Sequence, residues 1–210
     1  MMPGRSFVWT LLVCAVAAAA FFSDRIADAL IFDRVAIDAG QWWRLLSGNF
    51  VHLSAAHFAI DVLALLAVGT LAEVRGERRL GPVYLVAGLA TGLMLYWQLP
   101  QFRYFGGLSG IVSAAVTYLC LAGACESGPR RALFAFALGL VALKIAVELA
   151  LDDSLLTAAM EQPFVSVPQS HLAGAAAALA TYLVARTRRL RWIGRAVAPG
   201  TSGPTLMSRL

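Results

Sequence analysis

Charge is scarce in this chain. Of 210 residues, 12 are acidic and 17 basic, which leaves 14% charged against 60% apolar. A water-soluble domain of this length cannot bury so many hydrophobic side chains, so a soluble enzyme is excluded and a membrane protein is indicated. Cysteine is equally sparse. Cys14, Cys120 and Cys125 all fall within apolar runs, without the paired spacing of a zinc site or the loop context of a disulfide framework. They read as inert packing residues, and no metal or organic cofactor is expected. The net charge of +5 comes mainly from arginine held in short clusters, so its location matters more than its total. The expected partner is a lipid bilayer, and no nucleic acid is expected.

What the chain has in quantity is apolar sequence. Runs of spanning length cover roughly 7–22, 53–71, 80–99, 108–125, 133–151 and 171–185. The fold expected is an all-α membrane protein, a six-transmembrane-helix bundle forming a single domain over 1–185. Several runs are short and rich in Ala and Gly, which predicts tilt, local bilayer thinning or helices that stop inside the hydrocarbon. The first run, with Arg5 ahead of it and Ala17, Ala19 and Ser23 near its end, also resembles a cleavable secretory signal. Under either reading the next segment, 24–52, lies outside. It is too polar to span, yet it carries Ile26, Leu30, Phe32, Trp42, Trp43 and Leu45, so it is expected as an outer interfacial loop of short amphipathic pieces. After Ala185 the chain turns arginine-rich and then reaches Pro199, Gly200, Gly203 and Pro204. Residues 186–210 are expected to form a basic, disordered cytoplasmic tail that fixes topology or attaches to anionic lipid.

The arginines set the orientation. With the N-terminus inside, the inner segments hold Arg5, the group Arg75, Arg78 and Arg79, the pair Arg130 and Arg131, and the tail. The outer segments carry Asp24, Asp28, Asp33, Asp38, Asp152, Asp153 and Glu161 against few cations. This predicts an N-in, C-in protein of a bacterial inner membrane.

Ionisable and polar residues inside spans are expensive, so each is a functional candidate. They are His57 and Asp61 in the second span, Ser109 and Ser113 in the fourth, Lys144 and Glu148 in the fifth, and His171 in the sixth. The second, fourth and sixth spans all start from the outer side, which places His57, Ser109 and His171 at similar depth near that surface. A serine needs a base to take its proton, and an imidazole suits that task near neutral pH. Ser109 follows Gly106-Gly107-Leu108 and precedes Gly110, so a sharp turn leads into a helix whose free amides and positive dipole end suit an oxyanion. A plain turn with Ser109 as a helix cap is the competing explanation. Gly110 with Ala114, and Gly174 with Ala178, provide small stripes on which the two helices can approach closely.

Taken together, Trp43-Arg44, His52 and His57, Glu73 before Gly76, Gly107-Leu108-Ser109-Gly110 and His171-Leu172-Ala173-Gly174 resemble the rhomboid family of intramembrane serine proteases. The resemblance runs from about Gln41 to Leu183. The six spans without a soluble domain, and the run Gly40 to His52, look most like the rhombosortase branch. The resemblance implies that Ser109 is the nucleophile, His171 the base, and His57 an oxyanion-hole donor beside the Ser109 amide. It implies no cofactor, an active site opening toward the periplasm, and membrane-anchored protein substrates with a C-terminal Gly-Gly-type transmembrane sorting tail. It also implies a dyad without a carboxylate, and no acidic residue is evident in the sequence to orient His171.

Two positions depart from the family pattern. Asp61 stands where the family usually has Asn, whose amide can donate to the oxyanion. An ionised Asp61 accepts only and opposes negative charge; it is either neutral through burial or holds His57 in one tautomer. Ser113 replaces a larger ring-bearing residue, so support for His171 must come from elsewhere. His52 is read as structural, Lys144 and Glu148 as a pair one helical turn apart, with substrate gating as the competing explanation, and Glu73 with Arg75, Arg78 and Arg79 as organisers of the inner loop. Two rival functions use the same residues: a proteolytically dead, client-binding relative, and a small transporter with a proton path through His57, Asp61, Lys144 and Glu148.

Overall fold

The computed structural model of the protein describes residues 8–153 and 167–197, the side chains of 188–197 excepted. Six long helices dominate it: α1 Val8–Phe21, α5 Ala55–Val74, α6 Leu80–Gln98, α7 Ser109–Ala124, α8 Arg130–Leu151 and α9 Gln169–Val197. Short pieces fill the stretch between α1 and α5. They are α2 Asp24–Leu30, β1 Phe32–Asp33, α3 Arg34–Asp38, α4 Arg44–Ser47 and a 3-10 turn, Gly48–Phe50. A second strand, β2 Tyr104–Phe105, precedes α7 and pairs antiparallel with β1, Phe32 opposite Phe105 and Asp33 opposite Tyr104.

A long helix stands at each of the six expected runs. Length and composition alone qualify three of the described helices to cross a membrane: Ala55–Val74, Leu80–Gln98 and Arg130–Leu151. Val8–Phe21 and Asp24–Leu30 make a fourth only if the pair, bent by 113°, counts as one span. Ser109–Ala124 is apolar but short.

Helix ends are closed by identifiable groups. Ser54 accepts from the His57 amide and caps α5, and Asp33 does the same for Val35 at α3. At the end of α6, Pro100 stops the helix and Arg34 takes up the stranded carbonyls, donating to Leu95, Tyr96, Leu99 and Phe102. Glu73 was expected to organise the inner loop. It instead accepts from the Trp9 and Thr10 amides, at 3.2 and 3.3 Å, in the first described turn of α1. Arg75 pairs with Glu126 in its place.

α7 is the central helix, with Ile111, Ala114, Ala115 and Tyr118 buried at 2% exposure or less. α5, α6, α8 and α9 all pack against it. By contrast α8 buries only Ile145 and Glu148 and turns Leu133, Phe136, Leu140 and Leu143 outward. Such apolar area is costly against water and favourable against lipid tails.

The tail expectation is corrected in part. α9 runs without a break through Val197, so 186–197 is helical; arginine is a good helix former, and the first proline of the tail is Pro199. Residues 198–210, the remainder of the expected disordered tail, lie outside the described residues, as do Arg5 and Glu161.

Candidate active site

Ser109 is the first residue of α7, after a Leu108 that serves as N-cap without a side-chain bond. The serine is therefore not the cap of its helix. The turn that delivers it depends on Gly107, whose φ of +148° is rarely adopted by residues with a side chain, and a Cβ there would lie 2.8 Å from His57 Cε1. His57 and Asp61 thus lie against Gly107, two residues before Ser109.

His171 sits in the first turn of α9. α9 reaches α7 at the two predicted small stripes: a Cβ on Gly174 would lie 1.9 Å from the Gly110 carbonyl oxygen, and one on Gly110 would lie 3.0 Å from the Ser170 carbonyl. Only backbone-to-backbone contact allows that approach. Ser109, Ser113, His57, Asp61, Lys144 and His171 line one cavity of about 500 Å³ between α5 and α8. Within it Ser109 Oγ lies 3.3 Å from Ser170 Oγ, its hydrogen-bond partner among the described residues. The hydroxyl is thus bonded to the residue before His171, and catalytic contacts commonly tighten only once substrate is bound.

One carboxylate organises each side of the cavity. Asp61 Oδ2 lies 3.2 Å from His52 Nε2 and 3.2 Å from His57 Nε2. The Leu108 amide also approaches His52 Nε2, at 3.4 Å. A ring nitrogen cannot both donate to Asp61 and accept from Leu108, and the shorter contact to a carboxylate is the stronger. His52 therefore sits inside the site as a third group on the serine turn. On the other side Glu148, fully buried on α8, places Oε2 2.7 Å from His171 Nδ1, while both its oxygens receive Lys144 Nζ at 2.7 Å. This overturns the expectation that no acidic residue orients His171. The expected Lys144 and Glu148 pair is present, but it continues into the histidine. The signal was visible as two opposite charges inside an apolar span. Their mutual pairing accounted for both, and only the packing of α8 beside α9 brings the carboxylate to the imidazole.

The profile of the Rhomboid domain family matches residues 39–188, more than half of the chain. Rhomboid protease GluP of Bacillus subtilis is 35% identical over 81 residues, 37% of this chain and 16% of that protein. Rhomboid protease GlpG of Pectobacterium atrosepticum is 36% identical over 104 residues, 47% of this chain and 37% of its own length. Rhomboid protease GlpG of Klebsiella pneumoniae is 32% identical over 95 residues, 44% of this chain and 32% of its own length. In each case the match covers well under two thirds of the relative.

Proposed function

The chain belongs to the rhomboid family, and on that premise we propose that it is an intramembrane serine endopeptidase with Ser109 as nucleophile and His171 as general base. The observation that carries the reading is the meeting of the first residue of α7 and the first turn of α9 at the wall of one cavity. Acyl transfer then runs in two halves. Ser109 Oγ bonds to the scissile carbonyl carbon as its proton passes to His171, and the oxyanion faces the Ser109 amide and His57. Collapse breaks the C–N bond, and His171 gives the proton to the departing amine. Water, activated by His171, then releases the acyl group.

The proposed setting is a six-span, N-in, C-in bundle in a bacterial inner membrane, with the cavity opening toward the periplasm. α7 has 16 residues, a length of about 24 Å at the usual helical rise. A hydrocarbon core of about 30 Å then puts Ser109 below the outer surface once the other end of α7 reaches the inner one. A substrate helix would come in between α5 and α8, partly unwound. The substrates proposed are membrane-anchored proteins with a Gly-Gly-type C-terminal transmembrane sorting tail, as in the rhombosortase branch. The resemblance over Gly40 to His52 supports this class.

The client-binding alternative draws on one observation: the His57 nitrogen nearest Asp61 is turned to a carboxylate, so its proton is engaged where an oxyanion would need it. Co-expression separates the two readings. A tagged secreted protein with such a tail is expected to be processed by the wild type, and Ser109→Ala or His171→Ala to abolish processing. Processing that survives Ser109→Ala rejects the protease mechanism, and an unprocessed protein that nevertheless co-purifies with the wild type favours client binding.

A further inference from the structure

A carboxylate buried in an apolar span needs a reason. Glu148 has no exposed surface, and its helix is otherwise nearly all apolar. Lys144, the single lysine of the chain, lies one turn away and neutralises it. An ion pair alone does not require the imidazole, yet Glu148 Oε2 lies as close to His171 Nδ1 as to the ammonium. We propose that Glu148 is a positioning residue for His171: the juxtaposition of a fully buried carboxylate with Nδ1 at 2.7 Å completes a Ser109, His171 and Glu148 arrangement, with Lys144 as its charge balance. The inference rests on the reading of Ser109 and His171 as nucleophile and base.

The proton bookkeeping follows from the donors and acceptors. Lys144 Nζ, 3.4 Å from His171 Nδ1, can only donate, and Glu148 can only accept. Nδ1 lies closer to Glu148 than to Lys144, so it carries the hydrogen and donates a hydrogen bond to Glu148, which leaves Nε2 with the lone pair that takes the Ser109 proton. The Nδ1 proton stays on the ring throughout, and Glu148 stabilises the imidazolium without taking a proton. The support that Ser113, without a ring, does not give His171 thus comes from Glu148 on α8.

Glu148→Gln changes this in a specific way. The single amide oxygen is held by the Lys144 ammonium, and the amide nitrogen faces Nδ1 as a donor, so the ring proton moves to Nε2 and the base is lost. Removing Lys144 as well frees the amide to turn its oxygen to Nδ1. The double variant Lys144→Met with Glu148→Gln should therefore react faster than Glu148→Gln alone.

The test is the rate at which a fluorophosphonate probe labels Ser109 in the detergent-solubilised full chain, measured against pH, with thermal melting of each variant alongside. Glu148→Gln should lower the maximal labelling rate by about 10²- to 10⁴-fold, as loss of the orienting carboxylate does in serine hydrolases, with little change in probe affinity. The double variant should regain at least tenfold. Glu148 and Lys144 on α8 contact the His171 ring, and Ser109 on α7 with His57, Asp61 and Arg103 across the cavity line the same space. With those across the cavity unchanged, the pH of half-maximal labelling should fall in Glu148→Gln, which loses a neighbouring anion, and rise in Lys144→Met, which loses a cation. Equal labelling of wild type and Glu148→Gln with the same pH profile overturns the inference while leaving the dyad intact. A slow Glu148→Gln that melts normally but is not rescued in the double variant also overturns it. Wild type labelled no faster than Ser109→Ala rejects the protease reading, and the inference with it.

Discussion

At Asp61 two imidazoles converge on one carboxylate oxygen. His52 and His57 approach Oδ2 from either side, and the pair lies against the backbone that presents Ser109. The sequence could reveal that this position departs from the family's usual Asn; it could not reveal that His52 shares the carboxylate. His52 stands in the loop before the Ser54 cap, and nothing in the spacing places a loop residue beside the first turns of α5. Asp61 gains two charge-assisted contacts, each contributing roughly 1.5–3 kcal/mol, and in exchange it occupies the His57 proton and sets negative charge near the oxyanion. Asp61→Asn relaxes both. The expected outcome is cleavage at least as fast as wild type, with folding weaker by about 1–3 kcal/mol, in a side-by-side measurement of probe labelling and thermal unfolding. Slower cleavage with an unchanged melting temperature would show instead that the carboxylate assists, by fixing the His57 tautomer.

Among the helices, the close approach of α7 and α9 was the most legible feature, because Gly110 with Ala114 and Gly174 with Ala178 mark it at helical spacing. At Gly174 an added methyl has no side chain to push aside, because it would meet the Gly110 carbonyl. Gly174→Ala should destabilise the protein by about 1–3 kcal/mol or more and cut Ser109 labelling further than the stability loss explains, since the helices that carry the serine and histidine are levered apart. Gly139→Ala on α8, where nothing lies within 4 Å, is the control. It should leave labelling unchanged and gain about 0.5–1 kcal/mol from helix propensity. Loss of labelling in both would dissociate the effect from the α7 and α9 contact. What the sequence hid at this scale is the brace behind the serine turn. Two-residue strands have no periodicity to read, yet β1 pairs with β2, Arg34 donates its amide to the Arg103 carbonyl, and Gly106 lies close to the Val51 carbonyl. The segment expected as an interfacial loop therefore packs onto the strand that leads into Ser109. Glu148 was hidden for a related reason: one helix shows its partner Lys144, and only a second helix shows His171.

The charges of the described residues separate by end, and the expected orientation rests on that separation. One end gathers the turns after α5 and α7, where Arg75, Arg78, Arg79, Arg130 and Arg131 stand with Glu77 and Glu126, and the Arg75 contact to Glu126 at 2.7 Å ties the two turns together. The opposite end gathers the 24–54 segment, the 99–108 turn and the start of α9, with Asp24, Asp28, Asp33, Asp38, Asp152 and Asp153. Two of its arginines are occupied by the fold: Arg34 by the carbonyls that end α6, and Arg44 by the Asp28 and Ile31 carbonyls and Gln41. Structurally committed arginines are poor guides to orientation, since they are needed wherever the carbonyls are; the arginine cluster at the other end is the topological signal. The N-in, C-in reading therefore predicts that the aspartate end faces the periplasm. Cys125, the exposed native cysteine, is first replaced by serine, because Cys14 and Cys120 are buried. In that background Asp152→Cys should react with a membrane-impermeant maleimide in intact spheroplasts, and Ser127→Cys only after permeabilisation. The reverse pattern would invert the molecule and place the Ser109 cavity on the cytoplasmic side. Secreted proteins with sorting tails would then be out of its reach, whatever the chemistry at Ser109.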